Sequence, residues 1–512
     1  MAGNRKNNNK GLMTLLFVLI AILLILLIVL MLVIFMDRYQ KGQTAHVVSP
    51  APTVTDVIKD GNSTNTPSPT KGSDKPNKDN DEKKATPTPT NTPIPTDTPT
   101  PTPAFSLDTG FGRAVNEAAS AQYDEWKAGK DNVKAEFYDN GYYVSVLLTT
   151  GNDAGSDYPM TFVKETGEQL GIKDFVRESY LAVIKERLQK YVLTVDDVFK
   201  DSEFIKYQTP YKASDYNFFY MKDGKLFFYF PKNTLTEGQP AFYYECDLND
   251  ATPYLFVNTA GEKVGQHIRM DLDPSKPMVA FTYDDGPRAS VENHFFDLIE
   301  KYNARFTFFS VGNRFSTTGT WTNYMTCLKE LSEAGCEISS HTYSHDQYGY
   351  YRETKDSTGK VTSTFFNKEA NFKIFWQEIN KNTEIIASTT GCAPEFIRMP
   401  GGCYADYMVN VPMPMVNWSV STEDWQYHGK QIKLDEWSGA EEGRQKVYEA
   451  LMNVKDGDIV LMHSIYLYTY EATEKAMEEL SAQGYQFVNL SELFYYKGLK
   501  VENGKLYNKG RE

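Results

Sequence analysis

Met278-Val279-Ala280-Phe281-Thr282-Tyr283-Asp284-Asp285-Gly286-Pro287 decides how this chain is read. The first six residues are apolar or β-branched without alternation, the pattern of a strand buried on both faces. Two acids, a glycine and a proline then stop the strand and turn the chain. The same event recurs downstream. Arg305-Phe306-Thr307-Phe308-Phe309-Ser310-Val311 and Cys336-Glu337-Ile338-Ser339-Ser340 read as the next two strands, the latter after a helix closed by Gly335. Glu395 to Arg398, Met415 to Val420, Asp458 to Met462 and Tyr485 to Leu490 complete the set. Helical patterns fill the intervals 365–387, 440–454 and 470–483. Strand alternating with helix predicts an α/β unit over 270–500 with parallel strands, open or closed into a (β/α) barrel.

Upstream, Gly265, Asp271, Asp273, Pro274 and Pro277 mark a break. Residues 106–268 before it read as a smaller α+β unit. Helical stretches fall near 110–128 and 173–192, and strands at Tyr142 to Leu148 and Lys225 to Phe230. This unit holds no cluster of His, Cys or carboxylate at ligand spacing, and no ligand is read for it.

The N-terminal part differs from both. Residues 1–10 carry Arg5, Lys6 and Lys10 and no acid. Gly11 to Met36 is a run of 26 residues without a charge. As a helix it spans about 39 Å, more than a bilayer's hydrocarbon core. No small-residue cleavage site follows it, so the run reads as one uncleaved anchor rather than a signal peptide. The basic residues place 1–10 in the cytoplasm and everything after Asp37 outside the cell, the topology of a single-pass membrane protein. Residues 37–105 read as a stalk. From Ala85 to Pro103, 15 of 19 residues are Thr or Pro, which predicts extended polyproline II. A spacer above a membrane suits a target some distance out, such as a cell wall.

Composition excludes several classes. With 53 basic against 67 acidic residues, a net charge of −14, the chain lacks the basic face that neutralises phosphates, so no nucleic-acid partner is expected. Five cysteines in 512 residues exclude a disulfide scaffold.

The reactive residues fall at the carboxyl ends of the expected strands. Asp284 and Asp285 follow the first and His341 and His345 the third. Arg398 ends another, Asp424 lies just past Val420, and His463 follows Leu461-Met462. In a parallel barrel those ends share one face, the face that carries active sites. His341 and His345, four apart, reach one ion together with a carboxylate, and such a set with open positions suits Zn²⁺ or another divalent metal holding water. Adjacent acids at a strand end point in different directions. One binds the ion while the other faces the water as general base. Arg398 would hold that base ionised, and His463, with Asp424 favouring its imidazolium, would protonate a leaving group. Base, acid and metal together indicate hydrolysis of a carbonyl compound.

Thr282-Tyr283-Asp284-Asp285-Gly286-Pro287, His341-Thr342-Tyr343-Ser344-His345, Arg398-Met399-Pro400-Gly401, Asp424-Trp425 and Leu461-Met462-His463 resemble, in order, the five motifs of the NodB-type polysaccharide deacetylases, carbohydrate esterase family 4. The resemblance implies a distorted (β/α) barrel and metal-dependent removal of acetyl groups from N-acetylated sugars. It makes Asp284 the base and Asp285, His341 and His345 the metal ligands. Arg398 then supports Asp284, Asp424 supports His463, and His463 is the acid. The Gly401 backbone N–H would help bind the oxyanion. Trp425 and Leu461 would line the acetyl pocket, with ordinary core as the other reading. Departures are present: Tyr283 stands where Phe is usual, Gly401 follows Pro400 where Tyr is common, and Ser421 stands where Asp is frequent. The upstream segment from Phe218 to Tyr244 resembles, diffusely, small extracellular domains that accompany cell-wall deacetylases, one of which forms the lysozyme-binding ectodomain of a Gram-positive anti-sigma factor.

The resulting expectation is a membrane-tethered deacetylase of peptidoglycan or another N-acetylglucosamine polymer outside the cell. Zn²⁺ is the first choice of metal, with Co²⁺, Mn²⁺ and Ni²⁺ open. The alternatives are an O-acetyl esterase on xylan or wall sugars, and an inactive surface receptor that binds through residues 106–268. Tyr348, Tyr350 and Tyr351, in the insertion Asp346 to Ser363, form either a wall of the sugar groove or a solvated loop.

Overall fold

Asp223-Gly224 is a two-residue turn signal between apolar runs, and both residues take positive φ (51° and 74°), the backbone that closes a tight hairpin. The computed structural model places it in an α+β region within residues 105–264. Described residues are 105–510, except 151–153, 266, 316–321, 346–352, 365–368, 405 and 434. The expected cytoplasmic tail, membrane helix and nearly all of the stalk lie outside them, as do Tyr348, Tyr350 and Tyr351. Among the described residues no helix is long and apolar enough to cross a membrane.

The α+β region opens with α1 (Arg113–Trp126), which covers an antiparallel sheet of β1 (Lys134–Asn140), β2 (Tyr143–Thr149) and β3 (Tyr158–Val163). Helix α2 (Glu178–Val195) follows, then a second antiparallel sheet of β4 (Phe219–Lys222), β5 (Lys225–Phe230) and β6 (Phe242–Asp247). Tyr180, Leu181, Ile184, Leu188 and Val192 recur every three or four residues along α2. They are buried in one cluster with Phe219, Phe228 and Phe230, the single apolar face expected of a helix packed on a sheet. The expected helix 173–192 is broken: Val176 and Arg177 are extended, and this lets Arg177 reach Glu395 (Nη2 to Oε1, 2.7 Å).

The second region is built on β7 (Met278–Asp284), buried at every residue. After it come α3 (Phe295–Tyr302), β8 (Thr307–Ser310), α4 (Thr322–Glu333), β9 (Glu337–Ser340) and the long α5 (Glu369–Thr390). Then follow β10 (Met415–Val416), β11 (Val420–Ser421), α6 (Ala440–Leu451), β12 (Ile459–His463), α7 (Leu467–Ala482) and β13 (Gln486–Phe487). The order β11-β12-β7-β8-β9 is parallel throughout, and β13 pairs with the start of β7. From β9 the circuit continues through single parallel bridges, Ser340 to Ile397 and Ile397 to Met415. Because β10 runs on into β11, the pairing returns to its start, and the sheet is a closed, distorted (β/α) barrel.

Three expected strands are shorter than their apolar runs. Glu395 to Arg398 contributes only the bridge at Ile397, since Pro394 and Pro400 flank it and cannot donate. Met415 to Val420 is interrupted at 417–419. Tyr485 to Leu490 keeps only Gln486–Phe487, because Asn489 caps a following helix by accepting from Glu492 N–H. The described part of the insertion, Glu353–Lys355 and Val361–Thr364, pairs as an antiparallel hairpin. Residues 99–512 belong to one compact unit.

Candidate active site

Parallel pairing fixes which ends of the strands meet. Register places His463, the last residue of β12, opposite Asp284, the last residue of β7. Asp284 is 3% exposed. Its Oδ1 accepts a hydrogen bond of 2.7 Å from Arg398 Nη1. Arg398 is fully buried and spends its other donors on Thr282 Oγ1 (2.8 Å), Val416 O (3.1 Å) and Asn417 O (2.9 Å). Its guanidinium lies over the Phe309 ring, 4.1 Å from the centroid. Every charge of this pair is answered, so the buried carboxylate is held and aimed.

The next residue turns away. Asp285 has φ 70°, a left-handed backbone that points its carboxylate toward the imidazoles while Asp284 stays on Arg398. His345 Nε2 lies 3.0 Å and His341 Nε2 3.6 Å from Asp285 Oδ1. His341 Nε2 is also 3.6 Å from Asp284 Oδ2. His341 Nδ1 is 2.8 Å from the Arg398 carbonyl. A carbonyl only accepts, so Nδ1 carries the proton and Nε2 presents its lone pair to the carboxylates. Thr342 and His345 both take positive φ (63° and 60°). That strained loop puts two imidazoles side by side, with ring centroids 5.0 Å apart.

These three residues fit a divalent ion. One ligand atom from each lies within 4.8 Å of the others, close to the spacing of donors around one small cation. Asp285 Oδ1 is buried with the His345 ring nitrogen at 3.0 Å as its close neighbour, and in a metal site that nitrogen is unprotonated, which leaves the oxygen to a cation. Burial lowers the pKa of His341 against the pull of Asp284 and Asp285, so the ring is neutral, as a ligand must be. Burial opposes the charge on Asp285, yet the hydrogen bond from His345 and the charges of His463, His341 and His345 hold its carboxyl well below the usual range. For His345, burial is outweighed by the hydrogen bond and charge of Asp285, and its pKa is raised. Both ligand and metal chemistry require deprotonation there, which a cation itself enforces.

On the neighbouring strand, His463 Nδ1 is 2.7 Å from Asp424 Oδ1. Asp424 Oδ2 accepts from the His463 backbone N–H (2.8 Å) and from Thr469 Oγ1 (2.9 Å). Burial disfavours a charged His463, but the charge and hydrogen bond of Asp424, with Asp285 and Asp284 behind them, raise its pKa to about 9. The imidazole is therefore protonated at neutral pH, with Nε2 left for chemistry.

The remaining expected residues are placed less decisively. Gly401 lies three residues past Arg398 with φ 65°. Trp425 follows Asp424 and is half exposed (50%), so it is not core. Leu461 is 6% exposed within β12. The Trp425 backbone N–H donates to Asp424 Oδ1 (3.0 Å), and the Leu461 carbonyl accepts from Thr422 Oγ1 (3.0 Å).

Three polar residues here were not visible in the sequence. Glu292 is wholly buried and accepts from Ser464 Oγ (2.6 Å) and Arg288 N–H (3.0 Å). It thereby ties the loop after β7 to the residue after His463. A Cβ at Gly286 would lie 2.1 Å from its carboxylate, which is why glycine stands there. Burial pushes the Glu292 carboxyl up to about 7. Glu378 and Asn382, on α5, hold the histidine loop from behind. Ser344 N–H donates to Glu378 Oε2 (2.7 Å), and Asn382 Nδ2 donates to Ser340 Oγ (2.9 Å). No spacing rule marks them, because their partners lie far away in the chain.

Comparison with known proteins bears on the same region. Residues 271–412 match the family model described as "Polysaccharide deacetylase". The chain is 30% identical over 230 residues to the peptidoglycan-N-acetylglucosamine deacetylase PgdA of Listeria monocytogenes, a match covering 45% of this chain and 41% of that one. It is 24% identical over 364 residues to the peptidoglycan-N-acetylmuramic acid deacetylase PdaC of Bacillus subtilis, covering 67% and 70%. A bifunctional xylanase/deacetylase of Pseudobutyrivibrio xylanivorans is 27% identical over 228 residues, covering 44% of this chain and 32% of that one. The chain thus spans less than half of the Listeria relative's length. The family model and the named relatives agree that this region is similar to polysaccharide deacetylases.

Proposed function

We propose that this protein is a metal-dependent hydrolase removing N-acetyl groups from an extracellular polysaccharide, with peptidoglycan as the first candidate. One observation carries the reading: an Arg-clamped carboxylate, Asp284, a three-residue cation site and a hydrogen-bonded His463–Asp424 pair gather at the same ends of neighbouring strands. A divalent ion held by Asp285, His341 and His345 supplies Lewis-acid polarisation of the acetyl carbonyl and acidifies water. Asp284, held in place by Arg398, takes the proton of the attacking water. His463 gives its proton to the departing amine nitrogen, and Asp424 holds the imidazole in the orientation that delivers it. The Gly401 N–H stabilises the developing oxyanion, and Trp425 and Leu461 bound the acetyl methyl. Zn²⁺ suits the donor set, as do Co²⁺, Mn²⁺ and Ni²⁺. The basic N-terminus, apolar run and Thr/Pro-rich stretch support a single-pass anchor with this site outside the cell.

The names of the Listeria and Bacillus relatives favour an amide of a wall sugar. The second reading, an O-acetyl esterase, uses the same machinery on an ester, and the Pseudobutyrivibrio relative pairs a deacetylase with a xylanase. Acetate release from purified peptidoglycan and from acetylated xylan, measured with added Zn²⁺ for wild type and Asp284→Asn, separates them. Release from peptidoglycan that drops at least 100-fold in the variant, on the order of the loss of a general base, is expected. Release from xylan alone makes the protein an esterase. No release from either substrate, with metal bound, makes it a receptor.

A further inference from the structure

Helix α5 has two working faces, and the chemistry above uses neither directly. At about 100° per residue, Glu378 and Asn382 lie on one side. Glu378 accepts from Ser344 N–H, the residue before His345. Asn382 donates to Ser340 Oγ, on the residue before His341, and to Ser310 O (2.9 Å). Gly312 permits this approach, since a Cβ there would sit 2.5 Å from Asn382 Oδ1.

The stripe Trp376, Asn380, Glu384 and Ala387 faces the α+β region instead. Trp376 Nε1 donates to Tyr207 O (3.0 Å). Asn380 Nδ2 donates to Glu186 Oε2 (3.1 Å), and Gln377 Nε2 to Glu186 Oε1 (3.4 Å). Glu384 accepts from Arg187 (2.6 Å), and Ala387 is buried in the core formed by α2 and β4–β5. Helix α5 is therefore clamped from outside by α2 and presses from inside on the loop that carries both histidines.

That loop needs the pressure. Thr342 and His345 hold left-handed backbone, each costing on the order of 1 kcal/mol or more, and such residues keep that shape only where their surroundings enforce it. We propose that the α+β region is a positioning element of the metal site, setting the donor geometry of His341 and His345 through α5. Its contribution is intramolecular and does not depend on a ligand of its own. The proposal rests on the metal reading of Asp285, His341 and His345.

The test needs no substrate. Zn²⁺ affinity of the full chain is measured by competition with a chromophoric chelator. Glu186→Ala combined with Arg187→Ala removes the charged part of the grip on α5 without changing an atom of the barrel, and both residues are partly exposed, so the chain still folds. The expected result is about five-fold weaker Zn²⁺ binding, at the low end of couplings between separate sites, with unchanged far-UV dichroism. Glu186→Gln with Arg187→Lys, which keeps the acceptor and the cation, restores the affinity. Glu378→Ala, acting on the loop directly, weakens it further. Zn²⁺ binding equal to wild type in the double alanine variant overturns the proposal and leaves the interface as packing alone. Equal binding in Glu378→Ala overturns it too. A wild-type chain that binds no Zn²⁺ overturns the metal reading first, a different failure seen before any variant is made.

Discussion

At the scale of single residues, the site separates two acids by backbone geometry and two protonation states by environment. Asp284 continues the strand and meets Arg398, whereas Asp285 turns into left-handed backbone and meets the imidazoles. His341 is pressed toward neutrality by burial, whereas His463, somewhat less buried, is raised to about 9 by Asp424. The sign of the resulting pH dependence follows. A raised histidine stabilises the fold fully below its unfolded value, roughly 6.5, and that contribution is lost as pH climbs through about 9. An acid role for His463 fails over the same interval. A cation at Asp285 offsets part of the carboxylate field, but Asp424 is bonded to His463 itself and keeps its effect. Asp424→Asn should therefore move the alkaline fall of kcat toward lower pH and reduce kcat at pH 8. A pH–rate profile of the variant that overlays wild type would remove Asp424 from this role.

At the scale of elements, the barrel is most irregular where it is most functional. The interruption between β10 and β11 coincides with Arg398, whose guanidinium takes the carbonyls of Val416 and Asn417. Those carbonyls face a buried cation rather than a neighbouring strand. The five strand ends bearing the acids, the histidines and Arg398 were legible in the sequence, because strand, stop and reactive residue lie close together there. The break at 417–419 was not, because Asn417 and Ser419 alternate with apolar residues as a half-buried strand would and the cause of the break lies in Arg398, earlier in the chain. Glu292, Glu378 and Asn382 escaped for the same reason: a lone polar residue in a helix declares its burial only once its distant partner is known. Arg398→Met tests how much the guanidinium contributes. It strips the buried Asp284 carboxylate of its cation and the Asn417 carbonyl of a donor, while Val416 O keeps the Tyr404 hydroxyl (3.2 Å), which should cost about 3–5 kcal/mol. Denaturant unfolding measures the loss, and a change below about 1 kcal/mol would mean that solvent reaches this pair.

At the scale of the whole described molecule, the α+β region and the barrel are joined by more than the linker. Ala387 and Ala393, from the barrel's sequence, are buried in the core of the α+β region. The Arg177–Glu395 pair is largely buried. Near the linker, the fully buried Glu492 is held by Arg269 (2.6 Å) and Arg305 (2.9 Å). Neither region can unfold without exposing apolar surface or stranding a charge of the other, and each such loss is comparable to a large share of a domain's net stability. Residues 105–510 should accordingly melt in one calorimetric transition rather than two. A ligand that binds only the native state then stabilises the whole of it, by about 2.7 kcal/mol when present at a hundred times its Kd. Saturating Zn²⁺ should raise the single Tm, a chelator should return it, and Asp285→Ala should abolish the response. Two resolved transitions, with only the second moving with Zn²⁺, would show instead that the barrel holds its metal site without help from the region packed on α5.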